Sequence, residues 1–221
     1  MDAMATSAKR RNRKPKRKND PLRTKADILA VAAEEFATNG LSGSRVDAIA
    51  ERTRTSKHMI YYYFRDKEGL YRAVLENAYS AVRAIEAKLA LEAQSPETAL
   101  RRLVEQTFEN DDANEAFVRL VAVENIHRGE HLGDLGHIRD INKGIISIIE
   151  RILERGRAKG AFRTDLDAID IHMAISALCF FRVSNKHTFG KIFGVDLSSP
   201  ERREKHKRMA ADAILRLVRK K

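Results

Sequence analysis

Lys57, His58, Met59, Tyr61, Tyr62 and Tyr63 fall within one stretch of seven residues, and all can touch a nucleic acid. Lysine donates to guanine O6 and N7, a methionine lies against a thymine methyl, and polar groups around them anchor to phosphate. Ile60 and Phe64, four apart, define the inward side of a short helix. That helix carries Lys57 and His58 on its first turn, where base edges are within reach, with Tyr61 one turn later on the same face as Lys57. Ser56 fits the cap, where its hydroxyl or the free backbone N–H groups face a phosphate. Tyr62, Tyr63 and Lys67 remain at the edges as phosphate contacts. All five tyrosines lie between Tyr61 and Tyr79, tryptophan is absent, and the net charge is +11. Nucleic acid is the partner these residues point to first.

The elements that must hold this segment are helical. Val46, Ile49 and Ala50 form the inner face of a short preceding helix, which Ser44 opens with Asp47 three residues on. The turn between the helices is three residues long and includes Arg54 and Thr55. An earlier helix starts near Thr24, with Asp27 as its cap partner. It repeats Ile28, Leu29, Ala32, Ala33 and Phe36, and stops at Asn39-Gly40. Three helices over residues 21–68 make a helix-turn-helix head.

From residue 69 to 221 the pattern continues as a larger helical body. Asp66 caps a long fourth helix whose stripe Leu70, Val74, Ala78, Val82, Ile85 and Leu89 reaches Ala93, roughly 40 Å. Ser95-Pro96-Glu97 starts the next helix, and Phe117, Leu120 and Val121 mark another. Ile138, Ile141, Ile145, Ile148 and Ile152 form a seam that stops at Gly156 or Gly160. No segment alternates with period two, so the fold class is all-α. Ile171–Phe181 is apolar on almost every side except at His172 and Ser176, and such a helix must be covered all round. With the final stripe Ala210, Ala213, Ile214, Leu217 and Val218, it predicts a homodimer through the last two helices. The connection 186–199 carries Phe189, Ile192, Phe193, Val195 and Leu197, too apolar for solvent, and is expected to fold over the body.

The charge is concentrated at one end. Residues 1–25 carry ten Lys/Arg against two Asp, which leaves a net of only +3 for the rest. Residues 1–20 lack hydrophobic periodicity and read as a disordered basic arm. Beside a DNA head the arm fits the phosphate backbone or the minor groove; a solvated tail and a nuclear import signal are the alternatives. A single cysteine, Cys179, fits a reducing compartment. With no apolar run near residue 1 and none long enough to span a bilayer, a cytoplasmic location away from membranes is expected.

One other string could do chemistry. His127-Arg128-Gly129-Glu130-His131 matches H-x-x-E-H, with His137 nearby as a third ligand. Gly129 and Gly133 weaken a helix there and no further carboxylate completes the site, so no metal, cofactor or catalytic residue is assigned.

Residues 24–75 resemble the DNA-binding head of the TetR family of bacterial repressors. The family string VSKGTLYYHF followed by KE-x-L reads here as TSKHMIYYYF followed by KEGL. The resemblance implies base contacts from Lys57, His58, Met59 and Tyr61, and phosphate contacts from Ser44, Ser56, Tyr62, Tyr63 and Lys67. Arg54 and Thr55 depart from the family's Gly and small apolar residue; the resemblance then implies a left-handed non-Gly residue at Arg54, costing roughly 1 kcal/mol, with a phosphate contact from Arg54 as the offset. The resemblance further implies double-stranded DNA with an inverted repeat as the partner, and release by a small-molecule effector held in the body. Candidates for the effector pocket are Phe108, Phe117, Asn125, His127, His172 and Phe180, a set that suits an apolar or aromatic ligand with one polar contact.

Overall fold

The computed structural model describes residues 20–132 and 136–220, so the basic arm, apart from Asp20, lies outside the described residues. Ten α-helices and one short 3-10 turn (Glu130–Leu132) carry the described residues, and a single bridge between Phe162 and Arg219 is the only extended pairing among them. None of these helices is long and apolar enough to cross a membrane.

The first three helices are α1 (Pro21–Gly43), α2 (Val46–Thr53) and α3 (Lys57–Phe64). The start of α1 corrects the expectation at Thr24. Asp20 is the cap, its carboxylate accepting from the N–H groups of Leu22 and Arg23 at 3.1 and 3.2 Å, while Thr24 donates its hydroxyl to the Asp20 carbonyl. Pro21 in the first turn explains the shift: its fixed φ suits a helix start, and it lacks the N–H that would go unsatisfied there. Gly40, at φ 65°, supplies the expected left-handed break within α1. Ser44 does not cap α2. Arg45 holds that position without a side-chain bond. The Ser44 hydroxyl instead turns inward, 2.6 Å from the Gly40 carbonyl and 3.0 Å from that of Glu35.

α4 (Lys67–Glu86), capped by Asp66 as expected, begins in the head and ends in the body. Its first turns bury Leu70, Tyr71, Val74 and Leu75 against Ile28, Phe36, Ile49, Ile60 and Phe64, forming the head core. The helix is shorter than its apolar stripe implied: 20 residues, about 30 Å at 1.5 Å per residue, and it stops at Glu86 rather than Ala93. Beyond it the chain turns so that Leu91 can enter the body core, and the Arg155 guanidinium takes up the carbonyls of Leu91 and Gln94. A helix continued to Ala93 would leave no room for that turn.

The body is built from α5 (Pro96–Ala113), α6 (Glu115–Ile126), α7 (Gly136–Ala158), α8 (Ala168–Ser184), α9 (Lys186–Phe193) and α10 (Pro200–Val218). Ser95 caps α5 with Pro96 at its start, as expected. Leu100, Leu103 and Phe108 of α5 meet Ile145, Ile149 and Ile152 of α7, Ile171 and Ile175 of α8, and Ile214 of α10. The 186–199 connection does not fold over the body. Its first eight residues are α9, and Ile192 and Phe193 are exposed; Leu197 alone of its apolar residues is buried. Phe189 stacks its ring near Phe181 and Phe193, so α9 extends the uncovered apolar face of α8. Leu178 and Phe181 on that face are also exposed, while Ile169 and Met173, likewise exposed, border the body cavity.

Candidate DNA-reading helix and body cavity

The turn that aims α3 depends on Arg54, which takes the left-handed conformation (φ 54°, ψ 36°) expected of it. Its N–H donates to the Glu51 carbonyl, and the Thr55 N–H donates to that of Ala50, closing α2. Ser56 then caps α3 by accepting from the Met59 N–H at 3.1 Å. Ile60 and Phe64 are buried as anchors, and Lys57 and His58 stand exposed on the first turn. The Lys57 ammonium lies 3.2 Å from the Asp47 carboxylate and 5.9 Å from the centre of the Tyr61 ring. An exposed ion pair of this kind contributes about 0–1 kcal/mol, so Asp47 orients the lysine without holding it from another acceptor.

Met59, Tyr61 and Tyr63 are half-buried, whereas Tyr62 is 74% exposed with its ring edge-on to Tyr63. Lys67 donates to the Ser42 carbonyl at 3.2 Å, which leaves its ammonium beside the end of α1. Ser44 is the expected contact that the structure moves elsewhere. At 4% exposure, with its hydroxyl engaged by two carbonyls, it locks the α1–α2 turn rather than meeting a ligand. The outward residue at the same corner is Arg45, whose N–H donates to the Glu35 carboxylate. Sequence spacing had no means of choosing between the neighbours Ser44 and Arg45, because a serine in front of a helix reads as a cap.

The turn from α3 into α4 is equally tight. Arg65 has φ 70°, and a Cβ on Gly69 would lie 2.1 Å from the Phe64 carbonyl oxygen. Gly69→Ala must therefore displace backbone at the end of the reading helix. A loss of about 2 kcal/mol or more is expected, the scale of backbone-incompatible substitutions, seen as a lower Tm together with weaker operator binding. A variant with wild-type Tm would disprove the tight approach.

A cavity of about 660 Å³ opens between α4, α5, α6, α7 and α8. Phe117, Asn125, His172 and Phe180 line it, as the candidate list expected. Phe108 and His127 do not. Phe108 is sealed in the body core with the Arg182 guanidinium 4.5 Å over its ring, and His127 ends α6 in an exposed position. The cavity also holds polar groups that the sequence did not reveal: Tyr79, Arg83, Glu86, Asp111 and Asn142. Arg83 pairs with Glu86 at 2.5 Å and donates through Nε to the Asn142 side chain at 2.9 Å. Burial first, and then the charge of Glu86, pushes the Asp111 carboxyl up to about 7. Burial, aided by Arg83, pulls His172 down to about 4 and keeps its ring neutral. The missed signal was local: Glu86 follows Val82, and Asp111 follows Thr107, at the four-residue spacing of inward positions.

Residues 28–74 match the family described as bacterial regulatory proteins, tetR family, and residues 96–214 match the tetracyclin repressor-like C-terminal domain. The HTH-type transcriptional repressor NicS of Pseudomonas putida is 34% identical over 198 residues, covering 90% of this chain and 93% of that protein. The chain belongs to the TetR family. It is a transcriptional regulator of the helix-turn-helix type, not an enzyme. The HTH-type transcriptional repressor KstR2 of Mycolicibacterium smegmatis is 27% identical and covers 69% of this chain and 74% of that protein. Among solved structures, a tetR-family regulatory protein from Rhodococcus RHA1 superposes with a TM-score of 0.69 at 23% identity, covering 88% of this chain and 96% of that one. The ketosteroid regulator KstR2 of Mycobacterium tuberculosis gives 0.66 at 21% identity, covering 93% and 98%. These two share the fold.

In this TetR-family chain α6 touches both the cavity and the head. Phe117 and Val121, four apart, line the cavity, and Phe117 packs edge-on against Tyr79. Leu120 and Glu124, also four apart but on another face, meet the head: Leu120 is buried in the head core, and Glu124 accepts from the Tyr71 hydroxyl at 3.1 Å. Arg119 adds a bond from its Nε to the Ala37 carbonyl at 2.8 Å. The H-x-x-E-H string belongs to this junction. Arg128 and Gly129 both take positive φ and turn the chain out of the helix between the two histidines, so no shared helix face exists for a chelate. His131 instead donates its N–H to Glu124 and packs its ring edge-on to Tyr71. Gly133 and the His137 side chain lie outside the described residues.

Proposed function

We propose that the protein is a homodimeric repressor that reads an inverted-repeat operator and leaves it when a small molecule occupies the body cavity. The observation that carries this reading is the exposed face of α3, held outward by Ile60 and Phe64, in a chain of the TetR family. Lys57, His58, Met59 and Tyr61 are the base-reading set. Ser56, Tyr62, Tyr63, Lys67 and Arg54 are the phosphate set, to which Arg45 is added in place of Ser44. The apolar face of α8 and α10, with Phe181 at 51% and Met209 at 56% exposure, supports pairing of two copies through these helices. A two-fold dimer would put its reading helices into major grooves about 34–36 Å apart.

Effector control follows from the double contact of α4 and α6. Each lines the cavity with one segment or face and enters the head core with another, so a ligand that prefers one setting of these helices shifts the spacing of the two heads. Selection of bound duplexes from a random pool with the full chain tests the proposal. A symmetric consensus is expected, and an asymmetric or featureless one would overturn it.

The basic arm is proposed to add phosphate contacts. Residues 1–19 hold eight Lys/Arg, and each phosphate they neutralise steepens log K against log salt by about 0.9. Truncation after residue 19, which spares the Asp20 cap, is expected to flatten that slope by several units and weaken binding to all sequences alike. An unchanged slope would exclude the arm from the interface.

A further inference from the structure

Asp111 is the buried group in the cavity that the protein leaves without a partner. It is 6% exposed, lines the cavity, and accepts no hydrogen bond or ion pair among the described residues. A buried carboxylate in that state is costly unless something else satisfies it.

Arg83 and Arg182 act on Asp111 from a distance, but burial and Glu86 outweigh them, and neither pairs with it directly. On α4, Arg83 is engaged by Glu86 and Asn142. On α8, Arg182 is engaged by Asp112 and the Leu197 carbonyl, with only its Nε left without a hydrogen bond, and the Cys179 thiol, held protonated by burial, lies 3.9 Å from the Val104 carbonyl. His172, also on α8, is neutral for the reason given above. The polar end of the cavity therefore sets one cation against two carboxyl groups, and it is short of one positive charge or one donated proton. The remaining walls are apolar and aromatic, with Phe117, Phe180 and the Tyr79 ring among them.

Resting on the effector-pocket reading above, we infer that the cavity takes an aromatic molecule bearing a basic nitrogen, with that nitrogen hydrogen-bonded to Asp111. Whether the proton sits on nitrogen or on the carboxyl, the same N···O bond is made, and the pair is neutral overall. Carboxylate ligands are disfavoured, because Glu86 and Asp111 repel them and Arg83 is already matched.

Three probes with one ring system and different ends test this by calorimetry on the full-length protein: tryptamine, tryptophol and indole-3-acetate. Tryptamine is expected to bind tightest, by about tenfold or more over indole-3-acetate, the scale of one favourable against one unfavourable charge contact. Asp111→Asn is expected to erase that preference and Asp111→Glu to retain it, with operator binding of each probe-free variant reporting that it is folded. Indole-3-acetate binding as tightly as tryptamine, a preference that survives in Asp111→Asn, or no saturable tryptamine binding at millimolar concentration overturns the inference. Ile146→Trp, which fills the cavity from α7, separates this from the underlying reading. If it blocks all three probes while the wild type shows no charge preference, the cavity stands as the ligand site and only the basic-nitrogen inference fails. If all three bind Ile146→Trp unchanged, the site lies elsewhere and both fail.

Discussion

Lys57→Ala combined with Tyr61→Ala is expected to remove sequence-selective duplex binding from a protein that remains folded. Lys57 is exposed, and Tyr61 packs only half-buried at the border of the head core, while the fully buried Ile60 and Phe64 hold α3 in place and Ser56 still caps it. Alanine is also the strongest helix former, so the helix itself is not weakened. The loss falls on base recognition. A good side-chain-to-base pairing discriminates by about 1–3 kcal/mol, and two subunits lose theirs together. A fall of about 4 kcal/mol, a thousandfold in Kd, is expected for the selected operator. Binding to scrambled duplex should change little, since phosphate contacts supply it. Anisotropy titrations of both duplexes at one salt concentration check this, with thermal melting as the control for folding. Operator affinity left intact in the folded double variant would remove α3 as the reader.

The second large effect concerns stability. Asp111→Asn is expected to stabilise the protein in a pH-dependent manner. The ordinary carboxyl value of 3.8 rises to about 7 at Asp111, because burial and Glu86 both oppose ionisation. The folded state then binds more protons than the unfolded one between these values, so the native carboxyl destabilises progressively as pH rises through that window, and the penalty is constant above it. At about 1.4 kcal/mol per pK unit, the full penalty is about 4–4.5 kcal/mol. The advantage of the asparagine variant should therefore grow by about 2–3 kcal/mol from pH 5 to pH 8. For a chain of this size that corresponds to a widening Tm difference of roughly 5–10 °C. Below about pH 4 the two proteins should differ only by the pH-independent cost of burying an amide. A Tm difference that is flat with pH would mean the carboxyl is not strained in the cavity.

Local chemistry was legible in the chain wherever one residue suffices to decide a conformation. Arg54 stands where the resembled family carries a left-handed Gly, and Ser56, Asp66 and Ser95-Pro96 are caps whose bonds form within their own turn. The same holds for the outward face of α3, which follows from Ile60 and Phe64 alone. Ser44 failed because its hydroxyl donates back to the Gly40 and Glu35 carbonyls instead of accepting from the N–H groups of the helix in front of it. The apolar stripe of α4 likewise ran past the true end at Glu86, since periodicity records which side is apolar but not whether the chain must turn to bury its next residue.

What the amino-acid order determined by itself was the all-helical class, the three-helix reader and the residues it turns outward, because short-range spacing and capping set those. The cavity, its unpaired Asp111, the exposed α8–α9 face and the two-sided role of α6 were decided only in three dimensions. Glu86 and Asp111 are separated by a whole connection and most of a helix, yet they become neighbours whose charges oppose each other. Whether an inward-facing position meets a packed side chain, a void or water depends on how separate helices cross, and no pattern confined to one helix contains that information.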